Sequence, residues 1–382
     1  MKKFNKIGIT IISFLSYFYI GSLVVVTGII MNQIAKYFHY SISEISNIFT
    51  FLNFGILIGI IINYWSIKKI KIKQQITISF ILNIFSLIIL YYCKNIIIFS
   101  FIIFIFGVIS GMIMSIGTFL ITNLYKKYQR NSMLLITDSF FSIAGIIFPL
   151  IYTFLLKKNY SWYYIYIIIN IIYIKIFILS NFIKFPIYKK QKNKKKKIKI
   201  NKNIILLFFS ALLYILGQLS FISWIPSYIT NNLNLNILQA SKIISLFWTS
   251  YMIGMWFFSL IIKKIEIKKL ISILLFISTI LIFLFNNIKN YQLLKIIIIK
   301  LGFFSSAIYT SLITLISLET KKPSPKLINL MLLFGTIGTL LTFIISSPIV
   351  KKYGIHNSLI FSNIIYFIVF NLILLLIYFK KK

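Results

Sequence analysis

Apolar residues dominate this chain in long, nearly continuous runs, broken at intervals by short clusters of Lys, Asn and Ser. The runs fall at 7–30, 45–64, 76–93, 97–122, 132–156 and 162–183, then at 203–230, 241–262, 270–286, 295–318, 327–350 and 357–379. About 20 apolar residues in a helix cross roughly 30 Å of hydrocarbon, so this pattern predicts twelve membrane-spanning helices. A barrel is excluded, because barrel strands are about ten residues long and alternate in polarity. The run at 270–286 is the shortest.

The second six spans repeat the first. At an offset of 195 residues Gly59 falls on Gly254, Gly107 on Gly302 and Ser110 on Ser305. The run Lys68-Lys69-Ile70-Lys71-Ile72-Lys73 falls on Lys263-Lys264-Ile265-Glu266-Ile267-Lys268. Glycines carry this register, since Lys and Ile match cheaply in so biased a sequence. The expected organisation is an N-terminal six-helix half (1–183), a basic linker (184–202) and a C-terminal six-helix half (203–382). Parallel repeats of this kind build one large class of secondary transporters.

Composition supports the membrane reading and adds an orientation. At 59% hydrophobic residues and a mean hydropathy of +0.95, the apolar content exceeds what a soluble core of this size encloses. With the N-terminus inside, inner segments hold 30 basic residues and outer loops 8. The positive-inside rule then predicts that both termini and the linker are cytoplasmic, as in a multi-pass protein of a bacterial inner membrane. The net charge of +37 raises the question of nucleic acid. Forty of the 41 basic residues are Lys, and Ile, Asn, Phe and Tyr are abundant alongside them, which is the signature of A/T-rich codons. No nucleic-acid partner is therefore expected; the basic run 189–202 reads as a solvated linker that can meet anionic headgroups.

Chemistry of other kinds lacks its parts. The N-terminal run is too long for a cleavable signal segment. Cys93 stands alone, so no internal disulfide or cysteine metal cluster is possible. His39 and His356 lie in outer connectors. No phosphate-binding Gly-Lys-Ser/Thr loop, nucleophile elbow or His-Glu-x-x-His sequence occurs, so neither an enzyme, a cofactor nor a metal is expected.

Polar groups kept inside the membrane mark the places where function concentrates. Of the acids Glu44, Asp138, Glu266 and Glu319, only Asp138 lies well inside a span. It sits about 10 Å from the inner face by helical rise, where a carboxylate costs on the order of 3 kcal/mol. Leu135, Asp138, Ser142, Gly145 and Pro149 share one stripe of that helix. Three readings stay open for Asp138: a proton-exchanging or substrate-binding group, a structural ion pair with Lys175 at matching depth on the sixth span, or a cap or gate element near the inner surface. Lys300, on the tenth span, is either a snorkelling lysine or an anion-binding group.

Several local words are similar to a known family. They are Ser13-Phe14-Leu15-Ser16-Tyr17 with Val26-Thr27-Gly28, Phe49-Thr50-Phe51-Leu52-Asn53 and the segment from Met114 to Thr122. Thr137-Asp138-Ser139-Phe140-Phe141-Ser142, Ile222-Ser223-Trp224-Ile225-Pro226 and Ser245-Leu246-Phe247-Trp248-Thr249 extend them. Together with the two six-span halves they resemble the TsgA-like proteins of the major facilitator superfamily, distantly related to the fucose–proton symporter group. The resemblance implies that spans one, four, seven and ten line a central cavity, with Tyr17, Thr118, Gln218, Trp224, Lys300 and Tyr309 as substrate-binding candidates. It places Asp138 on a flanking helix. Two departures stand out. The first and fourth spans carry no acid, and residues 63–73 keep the cations of the superfamily's signature loop without its acid or glycines. The expectation is a monomeric secondary transporter of a small solute, working by alternating access about a midplane site, with a coupling proton or ion. The alternative is a non-transporting membrane sensor or assembly factor on the same fold.

Overall fold

The structure is a computed structural model that describes residues 3–67, 69–125, 127–185, 202–261, 265–318 and 325–378. Among the described residues the regular structure is all helix, with no strand. Two compact units divide the chain, Met1–Lys197 and Ile198–Lys382. Most of the expected linker, residues 186–201, lies outside the described residues.

The first unit holds α1 (Lys3–Phe38), α2 (Ile42–Ser66), α3 (Ile72–Tyr91), α4 (Ile96–Leu124), α5 (Lys127–Lys157) and α6 (Tyr164–Phe182). The second holds α7 (Lys202–Asn231), α8 (Ile237–Ile261), α9 (Ile267–Asn287), α10 (Tyr291–Ser305), α11 (Ile308–Leu318), α12 (Pro325–Tyr353) and α13 (Ile355–Tyr378). The fold therefore has twelve crossings, as the apolar runs predict, but the tenth is made of two helices. Eleven segments are long and apolar enough to cross a bilayer, with α10 and α11 counted as the single span Tyr291–Ile316. The remaining crossing, α8, has 25 residues and begins with the polar Gln239, Ser241 and Lys242.

Burial shows which solvent these helices face. On α3 the buried positions include Gln75, Ser79, Asn83 and Ser86, while Ile78, Ile81, Phe85 and Ile88 are exposed. Likewise α9 buries Ser272, Ser278 and Asn286 and exposes Ile273, Phe276, Ile280 and Phe283. A water-soluble helix has the opposite arrangement. Polar residues inside and bulky apolar residues outside suit a hydrocarbon surround, where hydroxyls and amides find partners only within the protein.

The repeat reaches further than the glycines indicate. Ser41 and Glu44 form a capping box that starts α2, and 195 positions later Asn236 and Gln239 exchange the same two bonds at α8. Asn95 caps α4, and Asn290, again 195 positions on, caps α10. Lys71 and Glu266 hold the same place before α3 and α9. Backbone strain obeys the register too. The non-glycine residues with positive φ are His39, Asn159 and Asn234, and the positive-φ glycine is Gly354. His39 pairs with Asn234 and Asn159 with Gly354, so the same left-handed turn recurs in both halves.

Within the first unit α2 lies against α4 along Gly55, Gly59, Gly107 and Gly111. A Cβ on Gly107 would strike the Leu52 carbonyl, and one on Gly111 the Ile56 carbonyl. Backbone meets backbone there, which is what small residues at four-residue spacing permit between membrane helices. In the second unit the equivalent four positions are Ser250, Gly254, Gly302 and Ser306, between α8 and α10.

Candidate functional site

The first unit carries the clearest constellation. Phe14 of α1 stacks on Phe140 of α5, ring centroids 4.4 Å apart at 15°. Two helical turns on, Gly21 lets α1 rest on the backbone of Phe141. On the other side Gly117 of α4 meets Ser16, bringing α4 close to α1. These contacts set Tyr17 beside Thr118, hydroxyl to hydroxyl at 2.8 Å. The Thr118 proton goes to the Met114 carbonyl at 3.0 Å. A hydroxyl has one proton, so Tyr17 donates to Thr118.

Asp138 lies on the α5 segment that faces Tyr17, two residues before the Phe140 ring that stacks on Phe14 and three before the Phe141 backbone that meets Gly21. It is half-buried, on the side of α5 away from the exposed Ile147, Leu150 and Phe154. Farther along its stripe Ser142, Gly145 and Pro149 are buried. Among the described residues no cation lies within ion-pair distance of Asp138; the ion pair found there is Lys269–Glu266, at 3.5 Å on the surface.

The expected pair of Asp138 with Lys175 is accordingly not formed. Lys175 is exposed on the face of α6 that carries Ile171 and Ile178. Matched depth proved compatible with opposite orientation, and a lysine at such a position reaches the headgroup region along its own stem. Lys300 is exposed beside Ile296 and Ile299 on α10.

The remaining candidates lie in the second unit and do not form one cluster. Trp224 is fully buried, and its indole N–H donates to Ser346 Oγ of α12 at 2.8 Å. It fastens α7 to α12 instead of facing a ligand. Gln218 is buried on α7 with its amide nitrogen unpartnered. Tyr309, half-buried in the first turn of α11, lies over the bare face of Gly335.

Two polar centres went unnoticed in the sequence. The Tyr19 hydroxyl, fully buried, is shared between the Asn83 and Asn170 side-chain oxygens, each at 3.3 Å. Its register mate Tyr214 donates to the Ser305 carbonyl at 2.7 Å, and Ser305 Oγ meets Ser278 Oγ at 3.2 Å. That carbonyl stands at the break between α10 and α11, where the last turn of a helix leaves carbonyls without intrahelical partners. The signal was available: Tyr19 and Tyr214, Asn83 and Ser278, and Ser110 and Ser305 are each 195 residues apart.

Two repeated sets of six crossings, polar inside and apolar outside, define a helical membrane protein built from two similar halves. The profile of the Major Facilitator Superfamily matches residues 9–325, and the chain belongs to that family. It is 55% identical to a protein described as "Protein TsgA homolog" from Buchnera aphidicola subsp. Acyrthosiphon pisum (strain Tuc7), over 100% of this chain and 99% of that one. A homologue of the same description from Yersinia pseudotuberculosis serotype O:1b (strain IP 31758) is 47% identical over 100% and 98%. Among solved structures the nucleoside transporter NupG superposes with a TM-score of 0.75 at 15% identity, covering 97% of this chain and 99% of its own. A bacterial homologue of the human lysosomal transporter Spinster, in an inward-facing and occupied conformation, gives 0.72 at 12% identity, over 97% and 96%. The protein is thus a multi-pass secondary transporter of the facilitator type and not an enzyme.

Proposed function

We propose that this transporter works in the bacterial inner membrane as a monomer, by alternating access, and couples solute movement to a proton carried by Asp138. One observation carries the reading: Asp138 is a half-buried carboxylate inside a span, on the α5 segment packed against the part of α1 that holds the Tyr17–Thr118 pair, and no described side chain forms an ion pair with it. An unpaired carboxylate in such surroundings is costly while charged, so it gains by taking up a proton or a cationic partner. A group with two states of similar free energy is what coupling requires. Tyr17 already donates to Thr118, which leaves its phenolic oxygen free to accept from a solute group or from protonated Asp138. The test uses proteoliposomes of wild type and Asp138→Asn. The variant should lose proton-driven accumulation by more than tenfold while retaining exchange of solute across the bilayer. Undiminished accumulation by the variant removes Asp138 from the coupling step.

A further inference from the structure

Which solute the site takes is constrained by the charges that do and do not reach the interior. Within the first unit Lys175 is exposed on the face of α6 that carries Ile171 and Ile178, and Lys6 lies over the Tyr125 ring near the start of α1. Lys268 is buried, but its ammonium is held by the Leu376 carbonyl of α13 at 3.0 Å, at the start of α9 and far along the chain from Asp138. Glu44 is spent in the capping box of α2, and Glu266 on the surface beside Lys269. Among the described residues Asp138 is the one carboxylate on the interior side of a span, and no ion pair is found for it. Within the first unit an anionic solute brought to this place would meet a like charge with no cation paired to it among the described side chains, which is the arrangement that low-dielectric surroundings penalise most. A cation would meet its counter-charge at once. The rings of Phe14, Tyr17, Phe140 and Phe141 are half-buried on the facing segments of α1 and α5 around that carboxylate, Phe14 stacked on Phe140 two residues beyond it. Aromatic edges and faces pack apolar groups, and faces attract cations as well.

We infer that Asp138, with Tyr17 and the neighbouring phenylalanines, binds a monovalent organic cation, an amine with an apolar body, in exchange for the proton. This inference rests on the reading of Asp138 as the coupling group and names the chemistry of what it exchanges. The balance is simple. The ammonium docks on the carboxylate as the carboxyl proton leaves to water, so the site is neutral with either occupant and the released proton carries away the charge that the cation brought. Proton and amine compete for one group, and neither needs a second acid. The Thr118 hydroxyl, fixed by its bond to Met114, holds Tyr17 in place with its oxygen lone pairs available to an ammonium N–H.

The experiment uses the full chain in nanodiscs of uncharged lipid and matched probes: phenethylamine and benzyltrimethylammonium as cations, 2-phenylethanol as the neutral analogue, and phenylacetate as the anion. Saturable binding is expected for the cations alone. It should weaken as pH falls through the titration of Asp138, release one proton per cation from the protonated protein, and drop at least tenfold in Asp138→Asn. Asp138→Glu, which keeps the charge, should retain binding and guards against a folding artefact. Equal cation binding by Asp138→Asn, tighter binding of phenylacetate, or no saturable binding of either cation overturns the inference. The transport reading fails separately. Cation binding through Asp138 with no accumulation in proteoliposomes would end that reading and leave this one standing, and Asp138-dependent accumulation of some other solute without cation binding would do the reverse.

Discussion

Replacing Lys175 with Met should leave the yield and thermal stability of folded protein unchanged to within about 0.5 kcal/mol, because the lysine faces outward among Ile171 and Ile178 and holds no acid. Asp138 lies at a similar depth and faces inward, which sequence cannot distinguish: depth follows from counting along a helix, but orientation requires knowing which face meets lipid. Trp224 shows the same limit, since a Trp on a helix expected to line a cavity is equally suited to bolt that helix to its neighbour through Ser346. Tyr19 offers a sharper test. Its hydroxyl satisfies two buried amide oxygens, so Tyr19→Phe strands both and should cost about 1–3 kcal/mol. Adding Asn83→Leu removes one of the stranded groups, and thermal unfolding in detergent should show the double variant losing less than the two single losses added together. Cys93, in the connector after α3, is buried, and burial raises its thiol above the usual range despite its bond to the Asn95 carbonyl. A raised value means less thiolate at neutral pH, so maleimide should label Cys93 far more slowly than an exposed cysteine, with the rate climbing as pH rises.

At the scale of elements, the starts of α2 and α8 were more legible than their packing. Ser-x-x-Glu at Ser41 and Asn-x-x-Gln at Asn236 are local signals that need no tertiary contact to be read. The break within the tenth crossing was not legible. Ser305-Ser306-Ala307 contains no proline or glycine, and the hydroxyl that serves the Ser305 carbonyl comes from Tyr214, distant in sequence. The first unit keeps its fourth crossing continuous, and there Tyr19 is taken up by asparagine side chains instead of a carbonyl. Glycines divide in the same way into those that meet backbone and those that meet a side chain. Gly107→Ala would drive a methyl into the Leu52 carbonyl, which cannot turn aside, and should cost about 1–3 kcal/mol by overpacking. Gly117→Ala meets the Ser16 hydroxyl first, which can rotate, and should cost less in the same melting assay. Gly354 is held by its φ of 87° and has open space around it. Asn occupies the equivalent turn at Asn159, so Gly354→Asn should be tolerated where the β-branched Gly354→Val is not.

For the molecule as a whole, the distribution of charge decides which way the chain is threaded. A lysine near the end of a span stays on the side where translocation is disfavoured, and the effect is strongest in short connectors flanking the membrane. Every connector assigned to the inside carries at least three basic residues, including Lys126, Lys127 and Arg130 before the fifth span. Those assigned to the outside carry one or two, as at Lys94 and Lys157-Lys158. Because each half contributes an even number of crossings, the two halves must enter the membrane in the same sense. One orientation then satisfies both halves, as parallel repeats require. Positive-φ turns at His39 and Asn234, and at Asn159 and Gly354, all fall in connectors assigned to the outside. Those connectors are short and structurally repeated, whereas the long basic stretch between the halves has no counterpart in the register. A fluorescent protein inserted after Lys194 should therefore fold and fluoresce, and alkaline phosphatase inserted there should be inactive. The same pair placed after Lys158 should give the opposite result. Phosphatase activity at Lys194 would reverse the orientation for both halves together, and Asp138 would then lie nearer the outer face, taking its proton from that side.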